Sequence, residues 1–95
     1  MPAVTLVGDA CTGHDCFPPR PSISGSASVC VNRKAVVRLG DAYATHCCGQ
    51  SCHAGVLASA SSSVFIEGSA VGRIGDALSC GSKVRDGSGD VFVGG

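Results

Sequence analysis

Two stretches of the chain share one pattern of apolar and polar positions. Residues 28–41 read SVCVNRKAVVRLGD, and residues 63–76 read SVFIEGSAVGRIGD. In each, a short run rich in β-branched residues leads into a polar turn, Asn32-Arg33-Lys34 or Glu67-Gly68-Ser69. A second apolar run follows and ends at Gly-Asp. Such a run–turn–run pattern predicts a β-hairpin. At an offset of 35, seven of the fourteen positions are identical, and Val31/Ile66 and Leu39/Ile74 are conservative pairs. Helical periodicity nowhere persists beyond a turn or two, and glycine interrupts every candidate helix. Pro18, Pro19 and Pro21 mark residues 17–25 as an extended loop.

The two ends of the chain carry half of the same unit each. Residues 3–9, AVTLVGD, overlay residues 35–41, AVVRLGD, and residues 91–94, VFVG, overlay residues 64–67, VFIE. The Gly-Asp steps thus fall at Asp9, Asp41 and Asp76, and, counted through the termini, they divide the chain into three near-equal arcs. The expectation is an all-β fold: three hairpin units related by pseudo-threefold symmetry, with the N- and C-termini adjacent.

Composition limits what such a fold can do. The chain has 95 residues, 44% of them hydrophobic, but only three Phe, one Tyr and no Trp. That allows a single domain, residues 1–95, with a small Ala/Val/Cys core, and a chain this short usually needs a staple, a metal or a partner. Seven Lys+Arg balance seven Asp+Glu with no run of like charge, which argues against nucleic acid as the partner. The opening MPAVTLVGD has no basic leader and no apolar core, so synthesis in the cytoplasm without a signal peptide is expected. A deep pocket for a small-molecule substrate is not expected, nor is enzymatic activity.

Chemistry-bearing side chains follow the Gly-Asp steps. His14 lies five residues after Asp9, His46 five after Asp41, and Cys80 four after Asp76. Equivalent positions in three symmetry-related units converge, and three N/N/S donors are most of a zinc site. The one remaining histidine, His53, is the candidate for the fourth ligand, with a cysteine among Cys47, Cys48 and Cys52 as the alternative. Four protein ligands close the coordination shell, so the expected Zn²⁺, one per chain, is structural rather than catalytic. Asp9, Asp41 and Asp76 read as turn formers that accept backbone N–H bonds. Arg38 and Arg73 recur three residues before Asp and suggest equivalent ion pairs. Cys11, Cys16, Cys30, Cys47, Cys48 and Cys52 are left over, with their redox state open. The main rival is a metal-free extracellular domain stapled by disulfides. A zinc ribbon would need paired Cys-x-x-Cys knuckles, and the chain has none.

At these residues the sequence resembles the PAAR-repeat family, whose unit has the form V-x-V-N-G-x-P-A-A-R-x-G-D. The matching stretches are residues 29–41 and 64–76, with TGH at residues 12–14 and CHAG at residues 52–55. The proline of the motif is missing from both copies, which read Ala35-Val36-Val37-Arg38 and Ala70-Val71-Gly72-Arg73. The resemblance implies a small cone that caps and sharpens a trimeric β-helical spike of a type VI secretion system or contractile phage tail, one copy per trimer. It also implies zinc near the vertex on His14, His46, His53 and Cys80. Contraction would export the tip, which would touch a target membrane only in passing. No room is expected for an effector extension. The docking base is expected among Val29, Val31, Val64, Phe65, Ile66, Val91, Phe92 and Val93, with strand alternation sending about half to one face.

Overall fold

The computed structural model describes residues 1–94 and is all-β, with no helix among the described residues. Six strands pair as three antiparallel hairpins. They are β1 (Cys30–Val31) with β2 (Lys34–Ala35), β3 (Ala42–Cys48) with β4 (Ser51–Val56), and β5 (Phe65–Ile66) with β6 (Ser69–Ala70). The principal extents are 37 × 23 × 23 Å.

The two repeat units form hairpins at the same register. Cys30 faces Ala35 in one, and Phe65 faces Ala70 in the other. Each turn is one residue shorter than the sequence pattern suggests. Asn32-Arg33 (φ 52° and 67°) and Glu67-Gly68 (φ 55° and 80°) make the reversal, while Lys34 and Ser69 already belong to strands. Two central residues at positive φ give the turn whose twist matches paired strands. A third pairing of this kind joins the ends of the chain: Ala3 bridges Phe92, Val4 N–H donates to Val91 C=O, and Val93 N–H donates to Pro2 C=O.

These units are locked by bonds that run in a circle. Thr5 N–H donates to Gly72 C=O, Gly72 N–H to Val37 C=O, and Val37 N–H to Thr5 C=O, at 3.1, 2.9 and 3.1 Å. The flanking bridges repeat the cycle: Leu6 with Val36, Arg38 with Val71, and Val4 with Arg73. Every donor in the circle finds its acceptor on the next unit, so the inner backbone is satisfied without a continuous sheet. Val4, Leu6, Val36, Val71 and Val93 form one buried cluster. Cys11, Val37, Tyr43, Leu57, Leu78 and Val84 form a second. Following the chain from Val4 through Cys11 to His14 leads from the first cluster to the second and beyond it. The molecule is therefore stacked along the direction of its arms.

Each arm leaves the circle through the same turn. Leu6, Arg38 and Arg73 donate their N–H to Oδ2 of Asp9, Asp41 and Asp76 at 3.0, 2.7 and 2.8 Å. The Asp N–H in turn donates to the carbonyl of the first residue. Gly8, Gly40 and Gly75 sit between them at φ 98°, 89° and 91°, a region open to glycine and strained for other residues. Arg38 and Arg73 add side-chain ion pairs to Asp41 and Asp76 at 3.2 and 3.1 Å. Ser26, Ser61 and Ser88 open the next hairpin in each case, their Oγ accepting N–H bonds from Val29, Val64 and Val91.

The longest hairpin, β3–β4, lies outside the repeat units, between residues 28–41 and 63–76. Its reversal is Gly49-Gln50, with Gly49 at φ 64°. The sequence HCCGQSCH is nearly palindromic about that turn, which puts His46 opposite His53 and Cys47 opposite Cys52. Short polar side chains and cysteines hide the usual alternation of apolar residues, so hydrophobic pattern alone does not mark this hairpin.

The three aspartates should differ in a predictable order. Asp41→Ala and Asp76→Ala each remove one turn bond and an arginine ion pair, Arg38 keeping its second partner Glu67, so each should cost about 2 kcal/mol, against about 1 kcal/mol for Asp9→Ala, whose arm carries Leu6. Urea unfolding of the three variants measures this. Equal losses at all three positions would contradict the added value of the arginine pairs.

Candidate metal centre

Three separate pieces of chain bring His14, His46, His53 and Cys80 together. One ligand atom from each lies within 4.8 Å of all the others. His46 and His53 face one another across β3 and β4. His14 sits in a tight turn in which His14 and Phe17 exchange backbone bonds, with Asp15 at φ 51°. Cys80 is on the reversal after Leu78, where Leu78 N–H donates to Ser82 C=O and Gly81 N–H to Leu78 C=O. Ser82 couples the last two pieces, its Oγ accepting from Gly13 N–H at 2.9 Å.

Gly55 is what lets Cys80 come this close. A Cβ on Gly55 would stand 2.9 Å from Cys80 Sγ and 3.2 Å from its Cβ, so any larger residue pushes the thiol away. In CHAG the glycine is therefore a spacer for the ligand two strands away.

The imidazoles are aimed with their Nε2 atoms inward. His53 Nε2 is 2.7 Å from His46 Nε2 and 3.0 Å from His14 Nε2. His46 Nδ1 donates to the Pro18 carbonyl at 3.0 Å, which leaves Nε2 of the neutral ring with its lone pair facing the cluster. His14 Nδ1 is 3.6 Å from the exposed Asp15 carboxylate. One proton on His53 Nε2 satisfies one neighbour and leaves a second lone pair facing nitrogen. A cation at the centre satisfies all of them. Desolvation, then the neighbouring His46 and His14 rings, hold the His53 pKa below the ordinary imidazole value.

The donor set suits a tetrahedral N₃S site, in which ligand atoms stand about 3.3–3.8 Å apart. The His/Cys cluster is one that could hold a metal ion. The cysteine alternatives for the fourth ligand are taken elsewhere: Cys47 is bonded to Cys52, and Cys48 to Cys16. Cys11 is free and buried, and Cys30 is free and exposed.

Two neighbours of the cluster are absent from the sequence reading. Phe17 packs its ring against all three histidines, with centroids at 4.8, 4.9 and 4.3 Å from His14, His46 and His53. Pro18 supplies the carbonyl that orients His46. Both lie in the proline-rich loop, and the spacing of Phe17 three residues beyond His14 is the only signal of its place.

Gly55→Ala should keep the fold but lower metal affinity by roughly tenfold or more, the scale of losing a group that positions a ligand. Competition with a chromophoric chelator reads it, and unchanged affinity would show that Cys80 does not ligate. Acid should release metal, since all three rings must be neutral to bind. Because His53 is held neutral by its surroundings, the folded site should keep metal below about pH 6.5, where an ordinary imidazole is half protonated. In metal-free protein the unfolded chain takes up the proton first. Stability should then be full above about pH 6.5 and fall below it, levelling off once His53 protonates in the fold. Metal content and thermal melting across a pH series check both statements.

In comparison with known proteins, the family model described as the PAAR motif matches residues 18–86. No curated protein matches the chain. The matched stretch holds both complete repeat units and three of the four clustered residues, His46, His53 and Cys80, and it starts four residues after His14. It covers well over half of the chain, and on that match this protein belongs to the PAAR-motif family.

Proposed function

We propose that this protein is a structural tip: one copy caps a trimeric β-helical spike of a contractile injection machine and sharpens it for envelope puncture. The observation that carries the reading is a set of three equivalent apolar positions left in solvent. Val29, Val64 and Val91 are 36, 38 and 36% exposed, and beside them stand Cys30, Phe65 and Phe92, the phenylalanines 58 and 50% exposed. These side chains open the two repeat hairpins and the matching pairing of the chain ends, at the other end of the arms from the histidine cluster. Apolar side chains repeated on every unit at one end suit a partner with three equivalent chains. A monomer with three units offers such a partner one complete face.

Zinc is the metal proposed for His14, His46, His53 and Cys80, and its role is to tie three loops at the vertex. With four protein ligands no position is left for water or substrate, so the ion contributes folding free energy and stiffness. The PAAR family's role is structural, and this reading assigns the chain no reaction. The proposed route is synthesis in the cytoplasm, loading onto the spike tip and export by contraction. The rival of a stapled, metal-free domain draws support from the bonded cysteine pairs.

Light scattering after size-exclusion chromatography of a mixture with the cognate spike tests the assembly. The expected species is one copy of this chain per spike trimer. Phe65→Asp with Phe92→Asp should abolish it while leaving metal content near one zinc per chain. A complex with three copies per trimer, or docking indifferent to both substitutions, would refute the proposed face. Protein without bound metal that melts alike with and without chelator would favour the stapled rival.

A further inference from the structure

The turn that carries His14 has more attachments than a ligand loop needs. Residues 14–17 close on themselves through two backbone bonds between His14 and Phe17. Within those four residues lie a clustered imidazole, the aromatic ring that covers all three histidines, and Cys16, whose sulfur is bonded to Cys48. Cys48 lies on β3, two residues beyond His46, so it shares the strand face of His46. The Cα atoms of Cys16 and Cys48 are 5.3 Å apart. The second pair, Cys47–Cys52, joins directly opposed residues of one hairpin and attaches nothing to it.

We propose that residues 14–17 form a lid over the metal centre that is latched by oxidation of Cys16 and Cys48. This rests on the reading of the histidine cluster as a metal site. With the thiols reduced, the turn is held to β3 by packing, by the metal and by the single hydrogen bond from His46 Nδ1 to the adjoining Pro18 carbonyl, and it can lift with His14 and Phe17. With the S–S bond formed, His14 stays at the site and Phe17 stays over it, and metal is trapped. The oxidant is a small-molecule disulfide. The exposed Cys16 thiol exchanges with it, forming a mixed disulfide and releasing one small thiol, and Cys48 Sγ then displaces the second. Two protein thiols give up two electrons and two protons, and the small disulfide takes them up as two thiols. The latch separates a loading state from a committed one: metal enters the reduced protein freely and is retained after the chain meets an oxidising compartment.

The test compares zinc-loaded protein, oxidised and reduced, by the rate of zinc transfer to a chromophoric chelator. Release should be faster by on the order of tenfold or more after reduction. Cys16→Ser with Cys48→Ser should release fast whether or not reductant is present, whereas Cys47→Ser with Cys52→Ser should keep the response of the unaltered protein. Hydrogen exchange at the Gly13 amide, which ties the base of the lid to Ser82 Oγ, measured on metal-free protein, gives a readout independent of zinc and should quicken on reduction. Equal release and equal exchange in both redox states, or a response that follows Cys47 and Cys52 instead, would overturn the latch. Oxidised protein that binds no zinc would overturn the metal reading alone, with amide exchange still deciding whether the lid is latched.

Discussion

Three backbone hydrogen bonds, among Thr5, Val37 and Gly72, set the terms for everything else in this molecule. Each residue donates to one neighbour and accepts from the other, so no member can leave without breaking two bonds. A short chain with one tyrosine and three phenylalanines cannot rely on buried area. It compensates by making the centre a closed circuit of backbone groups, walled by valines on one side and by Tyr43, Leu57 and Leu78 on the other. A buried valine is worth roughly 2 kcal/mol, so the cluster of five residues around the circuit supplies a useful but small driving force.

From that centre the two ends of each arm diverge in chemistry. One end opens into a hairpin whose first strand leaves apolar side chains in solvent. The other runs through the Gly-Asp turn to a residue of the His/Cys cluster. The turn is where the geometry is fixed: an aspartate that accepts an N–H three residues back and caps its own reversal directs the following residues the same way in every arm. Deviations from the repeat are concentrated beyond this point. The second arm carries an inserted hairpin that supplies His53, and the first carries the proline-rich loop with Phe17. The cluster is thus built from two histidines and a cysteine at repeated positions plus one residue from an insertion.

How much of this could be read from sequence depended on whether the signal was repeated. The hairpins at residues 28–41 and 63–76 were legible because two copies sharpen each other, and the half-copies at the chain ends pointed to the pairing of Ala3 with Phe92. His14, His46 and Cys80 stood out for the same reason. His53 was reached only because it was the remaining histidine, and its mirror relation to His46 about Gly49-Gln50 carries the structural reason. Phe17, Pro18 and Gly55 were illegible. Their roles come from packing across the chain, a carbonyl orientation and a missing Cβ, none of which leaves a periodic mark. The pairing of four cysteines was equally hidden, since spacing does not reveal which sulfurs face each other.

The placement of residues 3–7 bears on how the protein comes into being. Their long-range backbone partners lie at Ala35, Val37, Gly72, Ile74, Ser88 and Val91. This segment is therefore satisfied only when stretches of chain from residue 35 to residue 91 have gathered around it. Contacts of such wide sequence separation are slow to form, and the set is complete only when Val91 has joined it through its bond from Val4 N–H. Up to that moment Val4, Leu6 and the edge beside them stay open to any sheet or chaperone nearby. The fold thus closes by an event that gathers distant segments rather than by growth outward from one of them.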